Sequence, residues 1–381
     1  MSLVRRIAAI PKPLLTILAL VFVAALWFLD IITGPDLSPL IFYVVPVVLV
    51  VWFGGRRPGI LVSIVAAFAW FLADYLTGRH EHAHPAILYW NGVEKLLFFL
   101  LLVQLLATLK SALERERHAR QEFLERELRI AEQVQERLFP QWAPRMETIE
   151  CAGVCRPARG VGGDYYDFLP LEDGRMGLAV GDVSGKGLSA ALLMASLQGS
   201  LRSLASADGA RVDEIVTDVN RQLCSQTESN RFVTLFFAIY DDHRRELSCV
   251  NAGHNAPMLL RAGDDGASPE RVRSGGTVLG FFPEARWRAQ SLHLAPDDLL
   301  VAVTDGVVEA TNAADEEFGE RRLAEVLVAN RSLPAAELCR EVVARVAEFL
   351  AGLPAADDLT VVVARGLPPG AAPRASRDAI V

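Results

Sequence analysis

An α-helical transmembrane bundle followed by an α+β domain is the architecture this sequence predicts, on three observations. Residues 14–109 hold four long apolar stretches, Leu14–Ile32, Leu37–Phe53, Ile60–Leu76 and Ala86–Leu109, each close to the roughly 20 residues that cross a bilayer as a helix. Residues 110–138 are rich in Glu, Arg, Ala and Leu and free of Gly and Pro, the composition of a continuous helix. From about Ile149 the pattern turns to short Val- and Leu-rich runs, Gly-rich turns and a few helices, as in layered α+β folds. At 381 residues, about half of them hydrophobic, the chain is long enough for more than one core.

The first element is a four-span region over residues 1–109. A cleaved signal peptide competes for the first stretch, but no small-residue cleavage site follows it and further apolar stretches come at once. Arg5, Arg6 and Lys12 precede the first span, Arg56 and Arg57 sit in the second loop, and Lys110, Arg115 and Arg117 follow the fourth. Basic residues mark the cytoplasmic side, so both ends are expected there, in a multi-pass protein of the inner (cytoplasmic) membrane. Asp30, Asp74, Glu94 and Lys95 lie within the spans and must face the interior, an interface or one another, because charge facing lipid is costly. The loop with His80, Glu81, His82 and His84 reads as a solvated polar loop, with metal binding or pH sensing as the sharper alternative.

Residues 110–140 form the connector, closed by Pro140. Leu124, Leu128, Ala131 and Leu138 recur near heptad spacing, although Gln135 fills one apolar slot. A short coiled coil with a second copy, hence a homodimer, stands beside the alternative of a single solvated helix.

Residues 141–366 form the α+β domain. Buried strands are expected at Met176–Val180, Leu299–Val303 and Leu359–Val363, and further strands at Phe232–Tyr240, Glu246–Asn251, Pro257–Arg261 and Ala289–Leu294. Helices are expected at Leu188–Leu204, Val212–Cys224, Arg321–Ala329 and Ala335–Leu350. Residues 367–381, rich in Pro, Ala and Arg, are expected to be disordered. Cys151, Cys155, Cys224, Cys249 and Cys339 all fall in the half expected in the cytoplasm, where disulfides are rare. Cys151 and Cys155 lack a second pair or a nearby histidine to complete a zinc site, so buried free thiols are expected. The net charge of −8 and the lack of a basic stripe argue against nucleic acid as partner.

Four aspartates flank the short runs: Asp164 in VGGDYYD, Asp182 in GDVSGKG, Asp305 in TDGVVEA and Asp357 in ADDLTVVV. Carboxylates at strand ends can be aimed at one point by a rigid sheet, and a cluster without His or Cys favours hard cations such as Mg²⁺ or Mn²⁺ over zinc. Two such ions, about 3.5–4 Å apart, would activate water for in-line attack on a phosphoryl group. Any one of these aspartates alone could equally cap a helix or turn. Gly162, Gly163, Gly181, Gly185, Gly187 and Gly306 surround them and let backbone come close.

In order, VGGDYYD, GDVSGKGLSAALLMA, NAGHNAPMLL, TDGVVEATN, FGERRL and DDLTVVV resemble the bacterial SpoIIE/RsbU branch of the metal-dependent (PPM) serine/threonine phosphatases. The resemblance runs over about residues 129–365, from RIAEQVQERLFP onward. It implies an α/β/β/α sandwich of the PPM phosphatase type holding two Mn²⁺ or Mg²⁺ ions. It also implies that Asp182 bridges them, that the Val183 carbonyl helps hold one, and that Asp164, Asp305 and Asp357 complete the shell. Asp358 stands where relatives often carry Asn, which leaves its role open. The resemblance implies phosphoserine or phosphothreonine substrates on small STAS-domain anti-sigma antagonists. Arg159, Lys186 and His254 are candidates for substrate contact: Arg159 as a phosphate clamp or an exposed arginine, Lys186 likewise, and His254 as a general acid or, preferably, a brace for its loop. Two rivals are a non-enzymatic membrane receptor with a degenerate phosphatase domain and a diguanylate-cyclase-like enzyme suggested by GGD at 162–164. The second leaves the downstream aspartates unexplained.

Overall fold

The computed structural model describes residues 6–7, 9–33, 40–77, 85–226, 231–263, 269–273 and 275–370. The chain forms two compact units, Met1–Leu124 and Glu125–Val381. The division falls inside one helix rather than at residue 109 or 140.

In the first unit, α1 (Lys12–Thr33), α2 (Leu40–Leu49), α3 (Arg56–Leu76) and α4 (Pro85–Leu138) follow one another, with a π-helical turn, Val50–Gly54, closing α2. Val23, Tyr43, Val47, Val62, Ala66, Phe99 and Val103 make its core. Ile17, Val21, Phe28, Phe68, Leu101 and Leu105 point outward and exposed, the reverse of a helix that faces water. Helices α1, α3 and α4 are long and apolar enough to cross a membrane. The second stretch differs from the four equal spans expected: Pro46 stands inside α2, and the apolar helix Ile41–Gly54 belongs to a shorter class. Proline removes one helical hydrogen bond. Lys110 donates to the Trp52 carbonyl at 2.6 Å, satisfying one of the carbonyls left over at that helix end. Asp30 and Asp74 are buried within the unit, and Lys95 lies 3.6 Å from Glu94 and over the Trp70 ring. The His80–His84 loop lies outside the described residues, as does the tail from 371 onward.

The second unit is a four-layer sandwich. Its elements are β1 (Ile149–Arg156), β2 (Tyr165–Pro170), β3 (Arg175–Val183), α5 (Leu188–Ala205), α6 (Val212–Gln226), β4 (Val233–Asp241), β5 (Glu246–Ala252), β6 (Met258–Leu260), β7 (Glu270–Arg271), β8 (Gly275–Gly276), β9 (Gln290–His293), β10 (Leu299–Val303), α7 (Asp305–Val308), α8 (Gly319–Ala329), α9 (Ala335–Leu350) and β11 (Leu359–Gly366). One sheet runs β1-β11-β10-β6-β7, and the other β2-β3-β4-β5-β8 with β9 on β5. Side chains alternate across a strand, and β3 shows what this achieves. Met176, Leu178 and Val180 enter the core between the sheets with Leu300, Ala302 and Val362. Ala179 and Val183 turn the other way, onto Met194, Leu197 and Leu201 of α5 and Val216 and Val219 of α6. Helices α8 and α9 cover the first sheet through Leu323, Leu338, Val342 and Val346. Each such side chain taken from water contributes roughly 1.5–3 kcal/mol, so sheet and helix layers fix one another.

Strands β1, β2, β7 and β8 were not expected from the sequence. The seven strands that were expected are present with their ends shifted by a few residues at most. All five cysteines are free. Burial pushes the Cys339 thiol up to about 12 and raises those of Cys151 and Cys155 as well, which suits inert core thiols rather than a zinc site.

Candidate active site

Antiparallel pairing carries the four aspartates to one edge of the sandwich. Tyr165 pairs with Gly181, so Asp164, just before β2, stands beside Asp182 near the end of β3. Val303 pairs with Val361, so Asp305, just after β10, stands beside Asp357 and Asp358, just before β11. No two of these motifs are close in sequence except through the sheets.

The electrostatics bear this out. Burial first, then the charges of Asp305, Asp357 and Asp358, raise the Asp182 carboxyl from 3.8 to about 7, against the pull of Lys186. Burial and Asp357 raise Asp305. Burial raises Asp164 strongly, with Asp182 and Asp358 adding to it. Carboxylates this close repel one another and protonate unless a cation joins them.

Each of the outer carboxylates has a partner. Asp164 Oδ2 accepts from Thr304 Oγ1 at 2.7 Å and Thr360 Oγ1 at 2.6 Å, and the Thr360 N–H donates to Thr304 Oγ1. Lys186 Nζ lies 2.7 Å from Asp357 Oδ2 and donates to the Ala356 carbonyl. Asp358 accepts the N–H groups of Ala158 at 2.8 Å and Gly163 at 2.9 Å, so it ties the loop before β2 to the start of β11. Among the described residues no three His, Cys, Asp or Glu side chains already form a metal cage.

Two glycines set the approach of the backbones. A Cβ on Gly163 would stand 2.6 Å from the Val183 carbonyl oxygen, and one on Gly306 would stand 2.0 Å from that of Asp358. No larger residue fits either place. The donor set is therefore all oxygen, excessively negative and half sheltered, which fits a hard divalent cation and no soft one.

The candidate substrate contacts fall in three different settings. Lys186 is exposed beside Asp357, and Arg159 is exposed on the loop that leads to Asp164. His254 is buried: its N–H donates to Asn251 Oδ1 at 2.8 Å, Asn251 Nδ2 donates to its carbonyl at 3.0 Å, and its Nδ1 lies 3.0 Å from Thr234 Oγ1. Nε2 faces the Val303 carbonyl without closing a hydrogen bond of good geometry. Burial lowers its imidazole to about 4, so the ring is neutral at pH 7 and braces the loop opposite Asp182, with which Thr234 pairs.

Thr304 and Thr360 were missed from the sequence, although both stand inside motifs, one before Asp305 and one after DDL. Asp167, the second acid of VGGDYYD, is also explained only by the structure. It is fully buried and takes a bidentate pair from Arg202 of α5 at 2.8 and 2.9 Å, with the Tyr165 hydroxyl at 3.1 Å.

The chain is similar to known proteins in sequence and in fold. The chain is 31% identical to Protein IcfG of Synechocystis, over 54% of this chain and 36% of that protein. It is 28% identical to Phosphoserine phosphatase RsbU of Bacillus subtilis, over 50% and 55% respectively. It thus spans about a third to a little over half of the length of these relatives. The SiaA-PP2C domain of Pseudomonas aeruginosa superposes with a TM-score of 0.56 at 22% identity, over 65% of this chain and 98% of that domain, which shows a shared PP2C-type fold. Residues 172–366 match the family described as Stage II sporulation protein E (SpoIIE), and with half of its length inside that match the chain belongs to the SpoIIE family.

Proposed function

We propose that this protein is a membrane-anchored protein-serine/threonine phosphatase that works with two Mn²⁺ or Mg²⁺ ions. The observation that carries the reading is the raised Asp182 carboxyl amid Asp305, Asp357 and Asp358 at one sheet edge, a concentration of negative charge that only a cation balances. Asp182, the Val183 carbonyl, Asp164, Asp305 and Asp357 would hold the ions. Bound there, such ions would polarise a phosphoryl oxygen and make water nucleophilic near neutral pH. Thr304 and Thr360 orient the Asp164 carboxylate, and Asp358 fixes the loop that carries it. Lys186 and Arg159, both exposed at this edge, supply positive charge toward an incoming phosphate. The named activity of RsbU supports phosphoserine as substrate, and phosphothreonine shares the reacting group.

The partner is a phosphorylated signalling protein of the STAS type. The apolar outward faces of α1, α3 and α4 support a multi-pass place in the cytoplasmic membrane, with the sandwich on the cytoplasmic side according to the basic residues around the spans. Exposed Leu124 and Leu128 support pairing of α4 with a second copy. Asp182→Ala should lower Mn²⁺-dependent phosphate release from a phosphoserine protein by at least roughly 1,000-fold, the scale of losing a principal electrostatic group, with the circular dichroism spectrum unchanged. Turnover retained in that variant would refute the mechanism, and wild-type protein that binds no divalent ion would favour a receptor that only docks a partner.

A further inference from the structure

Along α4 from residue 104 to 138 the burial pattern is inverted. Ile130 and Val134 are exposed, and Gln135 alone is buried, at 4% exposure. A polar side chain is sealed in only where its groups are matched, and those of Gln135 are. Its Nε2 donates to the Gly162 carbonyl at 2.8 Å, and the Gly162 N–H donates to its Oε1 at 3.0 Å. The side-chain amide thus pairs with a backbone residue as a neighbouring β-strand would.

We infer that Gln135 is a positioning residue that clamps Gly162 and thereby sets the loop delivering Asp164 to the active site, an inference that rests on the phosphatase reading. Gly162 is held between two grips. On its other side a Cβ would stand 1.9 Å from Asp358 Oδ2, the carboxylate that takes the next N–H, that of Gly163. Gly163 in turn accepts the Val183 N–H through its carbonyl at 3.3 Å. One side chain of the connector therefore fixes the segment that joins Asp164 to Asp182 and Val183. This also explains why a polar residue interrupts the apolar spacing of the helix: its partner is a peptide group rather than a second helix.

The test uses the full-length protein in mild detergent, with Gln135→Met, which keeps the shape and loses both hydrogen bonds, and Gln135→Glu, which keeps only the acceptor for Gly162 N–H. Hydrogen exchange in EDTA should quicken at least about ten-fold in peptides covering 158–165 of Gln135→Met and less in Gln135→Glu, the mark of a local opening. Calorimetric Mn²⁺ affinity should fall roughly 10–100-fold in Gln135→Met, and kcat should fall while KM for a phosphoserine protein stays within about two-fold. Unchanged exchange and unchanged Mn²⁺ affinity in both variants would overturn the inference. Wild-type protein that takes up no Mn²⁺ would overturn the phosphatase reading instead, and the exchange measurement would still judge the clamp.

Discussion

Asp164 and Asp167 stand three residues apart in one motif, yet they belong to opposite kinds of acidic region. Asp167 faces α5, where Arg202, Tyr165 and Gln198 satisfy both of its oxygens. Asp164 faces the sandwich edge, where four more carboxylates gather and the cation at hand is the exposed Lys186. The first region is balanced within the protein and holds β2 to α5. The second carries an excess of negative charge that the fold tolerates by burying it unevenly and raising its carboxyls. A motif read as one unit thus contains one acid balanced within the protein and one set amid excess negative charge, and the sign of the surrounding charge separates them.

The sharpest way to break this comparison is pH. Because Asp182 is raised in the folded state from 3.8 to about 7, its favourable contribution is fully present below about pH 4 and is lost as pH rises through 7. In EDTA the wild type should lose up to about 4 kcal/mol relative to Asp182→Asn over that window, by urea unfolding, a ceiling because the group is partly solvated. Mn²⁺ should restore the difference at pH 7. Equal pH profiles for the two proteins would place Asp182 in the balanced class. Next, Asp167→Ala should cost about 3 kcal/mol, the low end for breaking a buried pair because Arg202 is half exposed. Phosphate release per folded molecule should be unchanged, and a selective loss of activity would move Asp167 into the site. The smallest effect belongs to Lys186→Ala: both partners of its ion pair are more than 40% exposed, so stability should change by less than about 1 kcal/mol.

Much of this was legible in the sequence because it rests on local periodicity. The β10 run is apolar throughout and the β11 run is so except for Thr360, and α9 shows a clear apolar stripe. Strand β1, IECAGVCR, lacks a run of branched residues and holds a glycine, which lets Tyr166 of the facing sheet come close. Strand β2 was masked by its own motif, since YYDFLP is buried on both faces and does not alternate. The four aspartates could be named from their order, but not what holds them. Thr360 reaches Asp164 across 196 residues and Gln135 reaches Gly162 across 27, and no sequence window contains either pair. The short α2 was hidden because an apolar stretch with one proline reads like a full span until its length as a helix is known.

The close contact at Gly306 limits how this site can be altered. With only a hydrogen atom between the turn after β10 and the Asp358 carbonyl, the separation of the two motifs has no adjustable spacer. Side-chain size at position 306 therefore cannot tune that separation by small steps, since any Cβ there must move the backbone that carries Asp357 and Asp358.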